Sequence, residues 1–181
     1  MRNYNGISRS FQLFKKSIIM AVCVVCILQS MLGVASSSET TSPPLLIVIA
    51  ENREGGEKYF HKFDRKTLEA FSQRTITTET PWTTGVTTFT GPLLRDVIQE
   101  IKIQGENLKC TALNDYSITI PVQDSKIYDV IIAMKRNGEI MSVREKGPLW
   151  IIYPWSENSS LWNETYFSRS IWQLRDIEIL K

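Results

Sequence analysis

The chain has 181 residues, 43% of them hydrophobic, with 21 Lys plus Arg against 19 Asp plus Glu. That length suits one ordinary domain with a full core and excludes a comfortable second one. The surplus of positive charge belongs to the first 35 residues, which hold Arg2, Arg9, Lys15 and Lys16 and no acid. The remainder, with 17 basic and 19 acidic residues, carries −2 and no basic footprint for nucleic acid.

Residues 1–16 are polar and basic, and Ser17 to Ala35 then runs almost wholly apolar, ending Gly33-Val-Ala35 before three serines. That order is the n-region, h-region and small-residue cleavage site of a secretory signal peptide over 1–35, which predicts a periplasmic or secreted protein. The alternative is an uncleaved anchor, because the run approaches the roughly 20 residues that span a bilayer. Cys23 and Cys26 lie in this segment, so Cys110 is the one cysteine left and no intramolecular disulfide can form. Residues 36–44, rich in Ser and Thr and closed by Pro43-Pro44, read as a linker, and 45–181 as one domain.

Leu45 to Ala50 is short, apolar and β-branched, a buried strand; Glu51 to Glu57 is a polar loop. Asp64 stands at an N-cap position with Leu68 and Phe71 at helical spacing, and the Thr-rich stretch from Arg74 to Pro81 is extended. Thr90 to Ile101 predicts a helix with Thr90 as cap, Pro92 in the first turn and Leu94, Val97, Ile98 and Ile101 on one face. Leu108–Ala112 and Tyr116–Ile120 form a hairpin around Asn114-Asp115, and Pro121 stops its second strand.

Asp129 to Met134 is another buried strand, and Asn137-Gly138 signals a primed hairpin turn. Leu149 to Tyr153 is a strand fenced by Pro148 and Pro154, and Trp155 to Arg169 reads as a polar, aromatic loop. From Ile171 to Ile179 the residues alternate, with Ile171, Gln173, Arg175, Ile177 and Ile179 on one face. Many short strands with one or two helices predict an α+β domain around a mixed, barrel-like sheet.

Four segments occur in a fixed order: Phe89-Thr-Gly-Pro-Leu-Leu-Arg95, Asn114-Asp-Tyr116, Gly147-Pro-Leu-Trp-Ile-Ile-Tyr-Pro154 and Trp172-Gln-Leu-Arg-Asp-Ile-Glu178. Together they resemble the molybdopterin-binding domain of the sulfite oxidase family. The resemblance implies that family's fold and a cleft for its cofactor. In the family a cysteine four residues before a tryptophan binds molybdenum; here Trp82 is that tryptophan and Thr78 stands at the cysteine's place. A neutral hydroxyl is a poor ligand for a metal in a sulfur environment. Where the family has a Gly-Pro-Leu-Arg strand and a Lys-Trp pair, this chain has Gly147-Pro-Leu-Trp150 and Ile171-Trp172, and neither tryptophan nor isoleucine replaces a phosphate contact.

The resemblance implies a cleft lined by Trp82, Asn114, Asp115, Tyr116, Arg144, Lys146, Trp172 and Gln173. For several of these a structural role is also open: Asn114-Asp115 as a turn, Arg144 to Lys146 as a solvated loop, Trp82 and Trp172 as core. His61, the single histidine, reads as a solvated loop residue, and Ser72 and Ser168 lack a nucleophile motif. Asn158-Ser-Ser160 and Asn163-Glu-Thr165 fit the glycosylation pattern.

The expectation is an exported, non-catalytic member with no catalytic or metal residues and no cofactor. It binds a small anionic or pterin-like ligand, or a periplasmic or membrane signalling protein through the aromatic loop. The alternative is a molybdopterin-dependent oxidoreductase with atypical ligation through Cys110 or Asp115.

Overall fold

A computed structural model describes residues 43–51 and 56–181; the segments read as signal peptide and most of the linker lie outside the described residues. Three sheets organise this region. The largest has strand order β2-β1-β11-β5-β6, built from β1 (Leu46–Glu51), β2 (Lys58–Phe63), β5 (Asn107–Ala112), β6 (Ser117–Pro121) and β11 (Leu174–Leu180). It is mixed, because β1 and β11 run parallel while the other pairs are antiparallel.

The second sheet, ordered β3-β4-β8-β9, comprises β3 (Gln73–Thr78), β4 (Thr87–Pro92), β8 (Lys135–Arg136) and β9 (Glu139–Ile140). A two-stranded ladder of β7 (Ile131–Ala133) and β10 (Trp150–Ile152) completes the set. No sheet closes into a barrel among the described residues, so the expected barrel-like sheet gives way to three open ones. The α+β class holds, with four short helices among the described residues instead of one or two: α1 (Arg65–Ala70), α2 (Leu94–Glu100), α3 (Val122–Ile127) and α4 (Glu164–Arg169). None of the described helices is long and apolar enough to cross a membrane.

The sequence chemistry explains most of these elements. Asp64 caps α1 by accepting from the Thr67 backbone N–H at 2.8 Å. On the exposed face of β3 and β4, Thr75 pairs with Thr90 at 3.0 Å and Thr77 with Thr88 at 3.3 Å, while Ile76 and Phe89 are buried on the other. Asn137 and Gly138 both have positive φ, 51° and 85°, as a primed two-residue turn requires. Each fully buried side chain such as Phe89 contributes about 1.5–3 kcal/mol through removal from water.

Several elements differ from what the sequence predicts. Thr90 and Pro92 belong to β4, which pairs with both β3 and β8, and α2 begins only at Leu94 with Leu93 at its N-cap. Two-sided strand pairing satisfies the backbone of Thr90 better than a cap would. His61 sits on strand β2, paired opposite Val48, not in a loop. Pro121 ends β6, as expected, and is in addition the N-cap residue of α3. The stretch from Trp155 to Arg169 contains a 3₁₀ turn, Ser159–Leu161, and helix α4. Finally, a register shift between Leu174 and Asp176 changes the phase of β11, so Leu174 is buried together with Ile177 and Ile179.

Candidate functional site

At the start of β11 the chain assembles an aromatic cluster. Trp82, in the loop between β3 and β4, has its ring 5.5 Å from that of Trp172, 5.9 Å from Trp150, 6.0 Å from Trp155 and 6.1 Å from Phe167. Most of these are edge or tilted contacts, the arrangement favoured by the ring quadrupole. Trp150 and Trp155 are buried, whereas Trp82, Phe167 and Trp172 are half-buried and leave ring surface facing a cavity of about 430 Å³. That size lies within the range of small-ligand pockets.

The cavity has three walls. Trp82 and Trp172 form the first, and Ala112, Asn114 and Tyr116 of the β5–β6 hairpin form the second. The third runs along α4 and its exit: Glu164, Phe167, Ser168, Ser170 and Ile171. Glu164 is the one charged residue in this lining, and neither Lys, Arg nor Cys belongs to it.

Helix α4 is held in place from behind. Asp124 of α3, 6% exposed, accepts from the Tyr153 hydroxyl and from Arg169 Nη1, both at 2.8 Å. Burial, followed by the adjacent Asp124 carboxylate, raises the Tyr153 hydroxyl well above its ordinary range, so Tyr153 stays a proton donor. The hydroxyls of Tyr128 and Tyr166 meet at 3.2 Å, and the guanidinium of Arg169 lies 5.4 Å from the Tyr166 ring. Both sequon asparagines act as caps: Asn158 Oδ1 accepts from the Ser160 N–H and Asn163 Oδ1 from the Thr165 N–H.

Four of the eight residues expected in the cleft line the cavity: Trp82, Asn114, Tyr116 and Trp172. The other four do not. Asp115, at φ 64°, turns its carboxylate to Arg175 at 2.9 Å. Arg144 lies exposed in the 3₁₀ turn Val143–Glu145, which the Ser142–Glu145 capping box closes. The Lys146 ammonium sits 4.2 Å from the Trp172 ring centroid, a cation–π contact outside the cavity lining. Gln173 donates from Nε2 to the Val143 carbonyl and from its backbone N–H to Lys146, tying the head of β11 to that turn.

Two residues matter by their position. Thr78 is fully buried, donates to the Glu79 carbonyl at 3.0 Å, accepts from the Ser156 N–H at 3.0 Å and meets the Ser156 hydroxyl at 3.0 Å. Its one proton and both lone pairs are thereby engaged. Cys110 is buried in β5, where burial pushes its thiol up to about 12. It faces the core two residues before cavity-lining Ala112.

Residues 62–179 match the family model described as oxidoreductase molybdopterin binding domain. The chain belongs to that family. No curated protein matches it. In this molybdopterin-binding domain, the wall that sequence reasoning missed is α4. Its signal was present in Asn163-Glu164, a capping asparagine followed by an acid in the first turn.

Proposed function

We propose that this family member is an exported, non-catalytic module whose cleft binds a small organic ligand. One observation carries the reading: the cavity is walled by aromatic rings and a single carboxylate, with no thiol and no cation among its lining residues. Such a mixture of apolar walls and a few fixed polar groups is what small-ligand pockets are made of.

Molybdopterin does not fit this lining. The cofactor is anionic through its phosphate and dithiolene, and its recognition calls for forked or point cations and a thiolate on the metal. The resemblance puts Thr78 at the thiolate's place, and Thr78 is sealed into the Ser156 loop. Cys110 is a fully buried core thiol outside the cavity lining, and Asp115 is engaged by Arg175. The support therefore lies with the binding module rather than with an oxidoreductase of unusual ligation.

Metal and pterin analysis of protein purified from a host that makes the cofactor tests this. The expected result is molybdenum far below one atom per chain and no pterin released on denaturation; stoichiometric amounts of either would overturn the proposal. Export is tested by sequencing the N-terminus of the protein in the extracytoplasmic fraction, expected to begin after Ala35.

A protein partner is the second reading, favoured by Trp162, which is 48% exposed and packs its ring edge-on against Phe167 at 5.4 Å. If Trp162→Ala leaves every co-purifying protein unchanged, that reading falls.

A further inference from the structure

We infer that the cavity is selective for a weakly hydrated organic ammonium, such as a quaternary trimethylammonium group. This rests on the small-ligand reading and sharpens it. The expectation from sequence was an anionic or pterin-like ligand, but the walls have the opposite preference.

Trp82, Trp172, Phe167 and Tyr116 come from four separate segments and converge on one space. Each aromatic face carries the negative lobe of a ring quadrupole, which attracts a cation and repels an anion. The sole charged lining residue, Glu164, adds a negative charge, and among the described residues it has no salt-bridge partner. An entering anion would meet the carboxylate and the aromatic walls with no cation among the lining residues. An entering ammonium would be neutralised by Glu164 and would lay its methyl groups on indole and phenyl carbon.

The same chemistry already occurs beside these walls, with the Lys146 ammonium 4.2 Å from the Trp172 centroid and the Arg169 guanidinium 5.4 Å from that of Tyr166. Lys146 is also the nearby cation that opposes the inference. Arg169, on α4, is committed to Asp124, and Arg175, on β11, to Asp115 and Asp176. A quaternary ammonium suits such a site better than a primary one, because it surrenders little hydration and needs no hydrogen-bond acceptors. Asn114 Oδ1 accepts from the Tyr116 N–H and the Ser168 and Ser170 hydroxyls donate to the Thr165 and Tyr166 carbonyls, which leaves the Asn114 amide nitrogen as a donor and the serine oxygens as acceptors for whatever the ammonium is attached to.

The test is calorimetric titration of the full chain with three probes: choline, its uncharged carbon isostere dimethylbutanol, and free pterin. Choline is expected to bind at least about tenfold more tightly than dimethylbutanol, the discrimination a desolvated cation–π and carboxylate contact gives. Glu164→Gln, at an exposed position, should weaken choline several-fold and leave the isostere unchanged. Equal affinity for choline and its isostere, or tighter binding of pterin, overturns the ammonium inference while the small-ligand reading stands. Binding of none of the three overturns both.

Discussion

Thr78 and Trp82 lie four residues apart, yet one closes the fold and the other opens it. At Thr78 the hydroxyl is fully buried and its hydrogen-bonding capacity is filled by Glu79 and Ser156. At Trp82 the ring is half-buried, leaning on other aromatics and exposing part of its surface to the cavity. Satisfied polar atoms fix a position and leave nothing for a ligand, whereas an aromatic face is stabilised by packing at its edge and still has a surface to offer. The closed end is filled by its own hydrogen bonds, and the open end leaves aromatic surface uncovered.

The largest expected effect comes from loosening the open end. Asp124→Ala removes the acceptor shared by Tyr153 and Arg169 and leaves a mostly buried guanidinium without its partner. The expected cost is about 3–5 kcal/mol in chemical denaturation. Because α4 is the wall that this carboxylate anchors, the same variant should lose ligand titration at the cavity. Retained binding with reduced stability would show that the wall stands without its anchor.

Thr78→Val probes the closed end with a side chain of nearly equal shape. It strips the Ser156 N–H and hydroxyl of their buried partner, for an expected loss of about 1–3 kcal/mol. Ligand affinity should not change, since Thr78 does not line the cavity. A change in affinity without loss of stability would reverse the assignment of the two ends.

How far the sequence revealed this division depends on which residues are read. The hairpin around Asn114-Asp115 and the Asn137-Gly138 turn were legible because left-handed backbone has a short residue vocabulary. Thr90-Gly-Pro looked like a helix start, but pairing on both sides of β4 overrode that local signal. Gly91 marks the reason: a Cβ there would collide with the Ile132 carbonyl, so the glycine serves a close strand crossing, not a helix terminus. Strand β2, largely exposed from Lys58 to Lys62, lacks the alternation by which half-buried strands announce themselves. The site divided in the same way. Aromatic positions carried by the family frame reached the cavity, while Asp115, Arg144, Lys146 and Gln173 were drawn into ion pairs, turns and backbone contacts that no spacing rule foretells.

Cys110 gives a pH test of the core behind both ends. An unfolded thiol loses its proton near 9.0, while the buried one holds it to about 12. In that interval the unfolded state binds fewer protons than the folded one, so stability present below pH 9 falls as pH rises. The slope is about 1.4 kcal/mol per pH unit, read as the difference between the parent chain and Cys110→Ala, which cancels other titrating groups. In native protein Cys110, identified by peptide mapping so that Cys23 and Cys26 are read separately, should resist thiol reagents at neutral pH. Rapid modification would mean that the thiol reaches solvent and that the core reading is wrong.

The smallest expected effect is at Lys146, on the outer side of the open end. Its ammonium is within cation–π distance of Trp172, and its backbone is left-handed at φ 71°. Lys146→Met keeps a Cβ at that strained position and removes only the charge, with an expected loss of about 0.5–1 kcal/mol for a partly exposed contact. Lys146→Gly removes the charge and relieves the strain together, and glycine's ease at positive φ offsets much of the loss. The two variants should therefore differ, with glycine the more stable. If both lose the same amount, the left-handed turn is held by the Ser142–Glu145 capping box alone and its residue is immaterial. If neither loses any, Trp172 is fixed by its aromatic neighbours without help from the lysine.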